Sequence, residues 1–138
     1  MSQPSPVFEL RVVLTADNYA AAVRFWRDGL GLPLIRDFPG PGGGGSLLAA
    51  GQATLEIVSS EQAAEIDRIE IGGDGERSVR IALEVAELDE VAKDLVEAGA
   101  TMQGAPVTTP WGHRNVRLRT PDGVTLTLFN VPADDQAG

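Results

Sequence analysis

The chain has 138 residues, with 11 Lys and Arg against 20 Asp and Glu, and its formal net charge is −9. Such a surface repels a phosphate backbone, which excludes nucleic acid as an expected partner. The sequence has no cysteine, no secretory signal pattern and no membrane-length apolar run. We therefore expect one cytoplasmic domain, without disulfides, thiolate metal sites or membrane contact.

The first half of the chain predicts a strand, a helix and three further strands. An alternating strand over about 8–14 precedes an amphipathic helix over about 18–28, for which Asp17 is the expected cap. Strands follow over about 34–38, 46–50 and 53–58. The run PGPGGGG at 39–45 predicts a mobile connection, because it has no side chain beyond proline. Capping-box spacing between Ser59 and Gln62 predicts a short helix over 60–66.

The second half repeats this order after a Gly/Asp-rich seam at 72–76. Strands are predicted over about 79–85, 101–103, 115–119 and 124–130, with a helix over 88–98 and a Pro121-Asp122-Gly123 turn. Arg11 falls on Arg80 at an offset of 69 residues, and GQATLEIV resembles DGVTLTLF at an offset of 71. We predict a single α+β domain over 1–138, built from two βαβββ modules at about 7–69 and 77–131.

Four polar residues, related in pairs by the repeat, are predicted to share one face of the sheet. Side chains alternate along a strand, so the apolar set should cover the helices while the intervening polar residues point the other way. In the first strand the apolar set is Phe8, Leu10, Val12 and Leu14. The polar residues expected on the face without helices are Arg11, Glu56, Arg80 and Thr127.

The βαβββ duplication, the FW…GLGLPL run (25–34) and the PWG…RLRTPDG…L run (110–128) resemble the vicinal oxygen chelate superfamily. Its members include glyoxalases, bleomycin-resistance proteins and extradiol dioxygenases. The resemblance covers about 8–130 and implies a cupped, barrel-like mixed sheet with helices on its outer face, assembled as a homodimer. It leaves the activity open, because this fold hosts lyases, isomerases, dioxygenases and drug-sequestering proteins.

In the metal-dependent members, the four inward positions hold a divalent ion through His, Gln and Glu. By resemblance these positions fall on Arg11, Glu56, Arg80 and Thr127, with Leu10 replacing Arg11 if the register shifts by one residue. Arginine only donates hydrogen bonds and remains protonated, so it cannot coordinate a cation. We therefore predict no metal and no other cofactor.

Two roles are open for the arginines. They could pair with Glu56, and with Glu9 or Glu84 on the same face, as a purely structural network. If Glu56 neutralises only one of them, the cavity stays cationic and suits a carboxylate, phenolate or enolate of a ligand.

The loop and strand at 110–119 supply further candidate contacts. Trp111 is expected to line a ligand groove, with plugging of the core as the alternative. His113 is the only histidine; we expect it to be exposed or to pin its loop, although it could act as an acid or base. Asn115 and Arg117 in the following strand are also candidate ligand contacts.

The favoured function is metal-independent binding, or sequestration, of a small planar organic molecule, anionic if the cavity is cationic, such as an antibiotic or natural product. The alternative is a lyase, isomerase or dioxygenase-type enzyme of the same superfamily, with Glu56 as its base. A third hypothesis is a divergent metalloenzyme that uses His113 with Glu56.

Overall fold

The computed structural model describes residues 6–75, 79–121 and 123–132. The predicted seam and turn include Glu76 and Asp122, which lie outside these ranges. The strands are β1 (Val7–Ala16), β2 (Leu34–Phe38), β3 (Gly45–Ala50), β4 (Ala53–Ser59), β5 (Val79–Val85), β6 (Thr101–Met102), β7 (Val107–Thr108), β8 (Arg114–Arg119) and β9 (Thr125–Asn130). The helices are α1 (Tyr19–Val23), which continues as a π-helical segment (Arg24–Gly29), α2 (Ser60–Ile71) and α3 (Leu88–Glu97).

The strands form one mixed sheet in the order β2-β3-β4-β1-β5-β9-β8-β6, with β7 paired to β8. Its two halves meet where β1 runs antiparallel to β5. Val12 lies opposite Ile81, Arg11 opposite Ala82 and Val13 opposite Arg80, which is the register expected of a two-fold axis between the modules. The sheet is cupped and not closed into a barrel, and the α+β prediction is confirmed. Module one has the predicted βαβββ order, and module two has one further strand, the two-residue β7.

The outer face of the cup carries α1 and α3. Val23 of α1 packs on Leu48 and Ile57, and Leu88 and Ala92 of α3 pack on the β8–β9 pair. The expected cap of the first helix is wrong: Asn18 Oδ1 accepts the Ala21 N–H at 3.1 Å. Asp17 instead accepts a hydrogen bond from the Ser60 hydroxyl at 2.6 Å.

The inner face is not free of helices, contrary to prediction. Helix α2 is longer than the expected 60–66, and Ala63 packs against Val13, Val58, Ala82 and Phe129, all on the inner side. Val13 is consequently only 2% exposed. The alternation rule placed the inner and outer faces correctly, but it did not show that a connecting helix covers part of the inner one.

Two apolar residues expected under the helices are not covered. Phe8 is 60% exposed and Leu10 is 46% exposed on the outer side of β1. The described outer-face helix clusters contact other parts of the sheet, so this end of β1 stays open to solvent.

The glycine-rich connection is a packed turn, so the prediction that this segment buries nothing is wrong. Gly44 N–H donates to Pro41 O at 3.0 Å, and Ser59 N–H donates to Gly44 O at 2.9 Å. A Cβ on Gly44, whose φ is +75°, would lie 2.0 Å from Phe38 O. The missing side chains therefore allow close backbone packing. Within the described ranges, no helix has the length and apolar character needed to cross a membrane.

Candidate functional site

A cavity of about 290 Å³ opens between the inner face of the sheet and α2. Its apolar wall is largely aromatic and branched, formed by Phe38, Val58, Ile66, Ala82, Trp111 and Phe129. The charged groups on its wall are Arg11, Arg36, Arg80, Glu56 and Glu70. His113, Asn115 and Thr127 also line it, so seven of the eight predicted contact residues surround one space.

Arg11 is neutralised within its own module. Its Nε lies 3.0 Å from Glu9 Oε2, and its Nη1 lies 3.3 Å from Glu56 Oε1. Burial alone would lower the pKa of Arg11, but hydrogen bonds to Glu9 and the charges of Glu56 and Glu9 raise it above its ordinary value. The guanidinium also lies 4.9 Å from the centre of the Phe129 ring. This arginine therefore has the structural pairing that the sequence left open.

Arg80 differs from Arg11, although the two are related by the repeat. Among the described residues, no carboxylate lies within ion-pair distance of Arg80, and its side chain makes no hydrogen bond. Its guanidinium is half-buried on the cavity wall. Glu56 thus neutralises only one arginine, and a free cationic group remains in the cup.

Arg117 does not reach the cavity. It is 1% exposed, with its Nε 2.8 Å from Glu70 Oε1 and its Nη2 3.1 Å from Asp67 Oδ1. Thr127 donates to the same Glu70 oxygen at 2.9 Å, and Asn115 Nδ2 donates to Glu70 Oε2 at 2.9 Å. This buried network attaches α2 to β8 and β9, so Arg117 is placed as a structural residue beneath the cavity floor.

Two buried polar atoms beside this network have no partner in the described structure: Asn115 Oδ1 and Arg117 Nη1. Both side chains are already oriented by Glu70 through their other nitrogen atoms. Both free atoms are shielded from solvent. Both atoms therefore have unused hydrogen-bonding capacity, Asn115 within the cavity lining and Arg117 outside it.

The loop before β8 supplies the aromatic rim. Trp111 is 43% exposed and lines the cavity, which agrees with a groove wall and not with a core plug. The His113 ring packs on Phe129 with a centroid distance of 6.4 Å and an interplanar angle of 18°. Its backbone N–H donates to Thr109 Oγ1 at 3.0 Å. The histidine thus pins its loop, as expected, and also faces the cavity.

A like-charged pair lies on the inner face next to Arg11. Glu84 of β5 is directly opposite Glu9 of β1. Burial raises the pKa of Glu84 above its ordinary value, the charge of Glu9 raises it further, and Arg11 opposes both effects. Glu9 is bound by Arg11, whereas Glu84 makes no side-chain hydrogen bond within the described ranges.

The donor set does not fit a divalent ion. Two of the four inward polar positions, Arg11 and Arg80, carry guanidinium groups, which cannot coordinate a cation, and Glu56 is already bound by Arg11. Thr127 is engaged with Glu70. Within the described residues, no three His, Asp or Glu side chains converge as a metal site would require.

Some cavity residues were not predicted from the sequence. Arg36 and Phe38 come from edge strand β2, which showed only weak alternation. Glu70 comes from the part of α2 beyond the predicted helix end, as does Asp67, which binds Arg117 and is not part of the cavity lining. Their spacing with Ala63 and Ile66 places all four on one helical stripe, and acidic residues in such a stripe are a signal that could have identified them.

Comparisons with known proteins agree with this architecture. The family model for the glyoxalase/bleomycin resistance protein/dioxygenase superfamily matches residues 10–128. The uncharacterized protein YraH of Bacillus subtilis (strain 168) is 24% identical over 131 residues, covering 88% of this chain and 97% of YraH.

Two solved structures share the fold. Methylmalonyl-CoA epimerase from Mycobacterium tuberculosis is 20% identical, with a TM-score of 0.67 and coverage of 100% of this chain and 97% of that one. A glyoxalase/bleomycin resistance protein/dioxygenase superfamily member from Vibrio splendidus 12B01 is 12% identical, with a TM-score of 0.63 and coverage of 89% and 98%. At these identities the likeness concerns the fold alone.

Proposed function

Since this chain belongs to the glyoxalase/bleomycin resistance protein/dioxygenase superfamily, we propose that its cup binds a small, planar, anionic organic molecule without a metal. The observation that carries this proposal is the Arg80 guanidinium, which lies on the cavity wall without a carboxylate partner among the described residues. An antibiotic or other natural product bound by sequestration is the physiological ligand that we favour.

The remaining cavity walls support a flat, acidic guest. Both carboxylates of the wall, Glu56 and Glu70, are hydrogen-bonded to other arginines, and neither lies within ion-pair distance of Arg80. The Trp111 and Phe129 rings offer apolar faces for contact with an aromatic skeleton. A charged hydrogen bond in such a half-buried setting contributes about 1.5–3 kcal/mol, or at least about tenfold in affinity.

The test is calorimetric titration with 2-naphthoate and its neutral isostere 2-naphthamide, in the presence of a chelator. We expect one naphthoate to bind per chain, at least about tenfold more tightly than the amide. Arg80→Gln should remove this preference, and Arg24→Gln, an equal change of charge outside the cavity, should leave it intact. Equal affinity for the acid and the amide in the wild type would contradict anion binding.

Two further measurements separate sequestration from other uses of the site. The bound molecule should be recovered chemically unchanged, and protein purified without a histidine tag should contain no stoichiometric divalent ion by elemental analysis. A stoichiometric ion would overturn metal independence and favour a site that includes His113 and Glu56.

A second candidate function is catalysis by Glu56. This carboxylate lines the cavity with 13% of its side chain exposed, and within the described residues its only side-chain hydrogen bond comes from Arg11. Its second oxygen is therefore available to take a proton from a ligand, and Arg80, which lines the same cavity, is the group that would stabilise an enolate. Such an enzyme would be a lyase or isomerase.

Glu56→Gln distinguishes catalysis from sequestration. If the site catalyses a reaction, turnover of a candidate substrate should fall by at least about 100-fold while the thermal unfolding midpoint stays within a few degrees. The wild-type rate should also depend on the ionisation of one carboxylate. A variant that retains turnover would eliminate Glu56 as the base.

A further inference from the structure

Charged side chains alternate in one row across five strands of the inner face. Arg36 lies opposite Leu47, Leu47 opposite Glu56, Glu56 opposite Val13, and Val13 opposite Arg80. Directly paired residues point to the same face of a sheet. The row therefore has a guanidinium at each end and a carboxylate in the middle, and all three charged groups line the same cavity.

Arg36 resembles Arg80 in lacking a counter-ion. No ion pair or hydrogen bond to its side chain occurs within the described residues, and its guanidinium lies 5.8 Å from the centre of the Phe38 ring. Phe38 is itself part of the cavity wall, so this contact holds the cationic group at the cavity edge. The second free arginine enters the site from module one, opposite Arg80 of module two.

The position of Glu56 determines how a ligand can use the two arginines. Its carboxylate repels an acidic group at the centre of the row, and Arg11 already occupies one of its oxygens. Strands are about 4.8 Å apart, so the four steps from Arg36 to Arg80 span at most about 19 Å along the sheet. The curvature of the cup and the length of both side chains shorten the gap that a ligand must cross.

We propose that the site selects a planar molecule with two acidic groups at opposite ends, one bound by Arg80 and the other by Arg36. This inference rests on the proposed function and narrows its ligand class from anions to elongated dianions. Arg80 is the inner, half-buried anchor, and Arg36 on exposed edge strand β2 acts as the specificity residue.

The test compares 2,6-naphthalenedicarboxylate with 2-naphthoate, which has the same ring skeleton and a single acid. We expect the diacid to bind about fivefold or more tightly, above the twofold statistical advantage of two equivalent acids, because an exposed charge contact adds a modest gain. Arg36→Gln should reduce the ratio to about twofold, mainly by weakening the binding of the diacid. Arg80→Gln should weaken both probes, and Arg24→Gln should preserve the wild-type ratio.

The outcomes separate this inference from the function on which it rests. If naphthoate binds through Arg80 but the diacid has no advantage beyond twofold, the dianion proposal is wrong and anion binding stands. If Arg36→Gln leaves a fivefold ratio intact, Arg36 is not the second contact and the proposal is again wrong. If neither probe binds the wild type, anion binding itself is contradicted. Arg36 is exposed on an edge strand, so its substitution should not impair folding.

Discussion

The two modules place an arginine at equivalent positions of the cup, but the two arginines differ in their contacts with carboxylates. Arg11 in module one has Glu9 and Glu56 within hydrogen-bond distance. In module two the corresponding residues are Ser78 and Thr127 in the sequence, neither of which carries a charge. Arg80 is consequently left without a carboxylate among the described residues. A duplicated module has thus produced a structural ion-pair cluster in one half and a free cationic group in the other.

Helix α2 brings a carboxylate into module two, but that carboxylate does not pair with Arg80. Glu70 of α2 enters the cup beside Thr127, close to the position equivalent to Glu56. Its two oxygens are occupied by Arg117, Thr127 and Asn115. This carboxylate therefore attaches α2 to the sheet and makes no ion pair with Arg80.

The largest expected effect on stability comes from removing the arginine that binds Glu70 and Asp67. Arg117→Met should lower the free energy of unfolding by about 3–5 kcal/mol, because Asp67 and Glu70 lose a buried countercharge. Denaturant unfolding measures the change. The control is Arg114→Met on the same strand, whose ion pair with Asp89 is largely exposed and should contribute less than about 1 kcal/mol. Similar losses in both variants would mean that the buried network does not hold α2.

Smaller effects on stability are expected from substituting the two arginines that the repeat relates, Arg11 and Arg80. Arg11→Gln should destabilise the fold by about 2 kcal/mol, because two half-buried carboxylates lose their charged donor. Arg80→Gln should change stability by less than about 0.5 kcal/mol, because no protein partner is lost, while it abolishes the preference for an anionic probe. Thermal and denaturant unfolding of the pair measure this contrast. Equal destabilisation would show that Arg80 is also a structural residue.

The periodicity of the sequence predicted the two faces of the sheet, but it did not predict the length or the position of α2. Alternation along the strands and the internal offset put Arg11, Glu56, Arg80 and Thr127 on the inner face, where the structure has them. The apolar stripe of α2 is interrupted by two acids whose main partner, Arg117, lies about 50 residues further along the chain. The stripe marks the two acids as facing the core, but their arginine partner depends on tertiary packing and is not revealed by any local pattern.

The glycine-rich turn and the edge strand were misjudged for a related reason. Residues 40–45, which are glycines apart from Pro41, indicate an unpacked segment when only their missing side chains are considered, whereas the backbone itself packs against Ser59 and Phe38. Arg36 was overlooked because β2 alone does not show which of its faces meets the cavity. Its assignment required the register with β3.

The smallest expected effect concerns the acids that face each other across the module boundary. Glu84 has a raised pKa in the folded protein, so its favourable contribution to stability exists below the unfolded-state pKa and is lost as the pH rises through the folded value. Glu84→Gln should therefore stabilise the protein at pH 7 by roughly 0.5 kcal/mol, and the gain should disappear as the pH falls below the unfolded-state pKa of a glutamate, about 4.3. Glu9→Gln should do the opposite at pH 7, because it removes a carboxylate bound by Arg11. Unfolding free energies measured between pH 4 and 8 would contradict this asymmetry if both substitutions changed stability in the same direction.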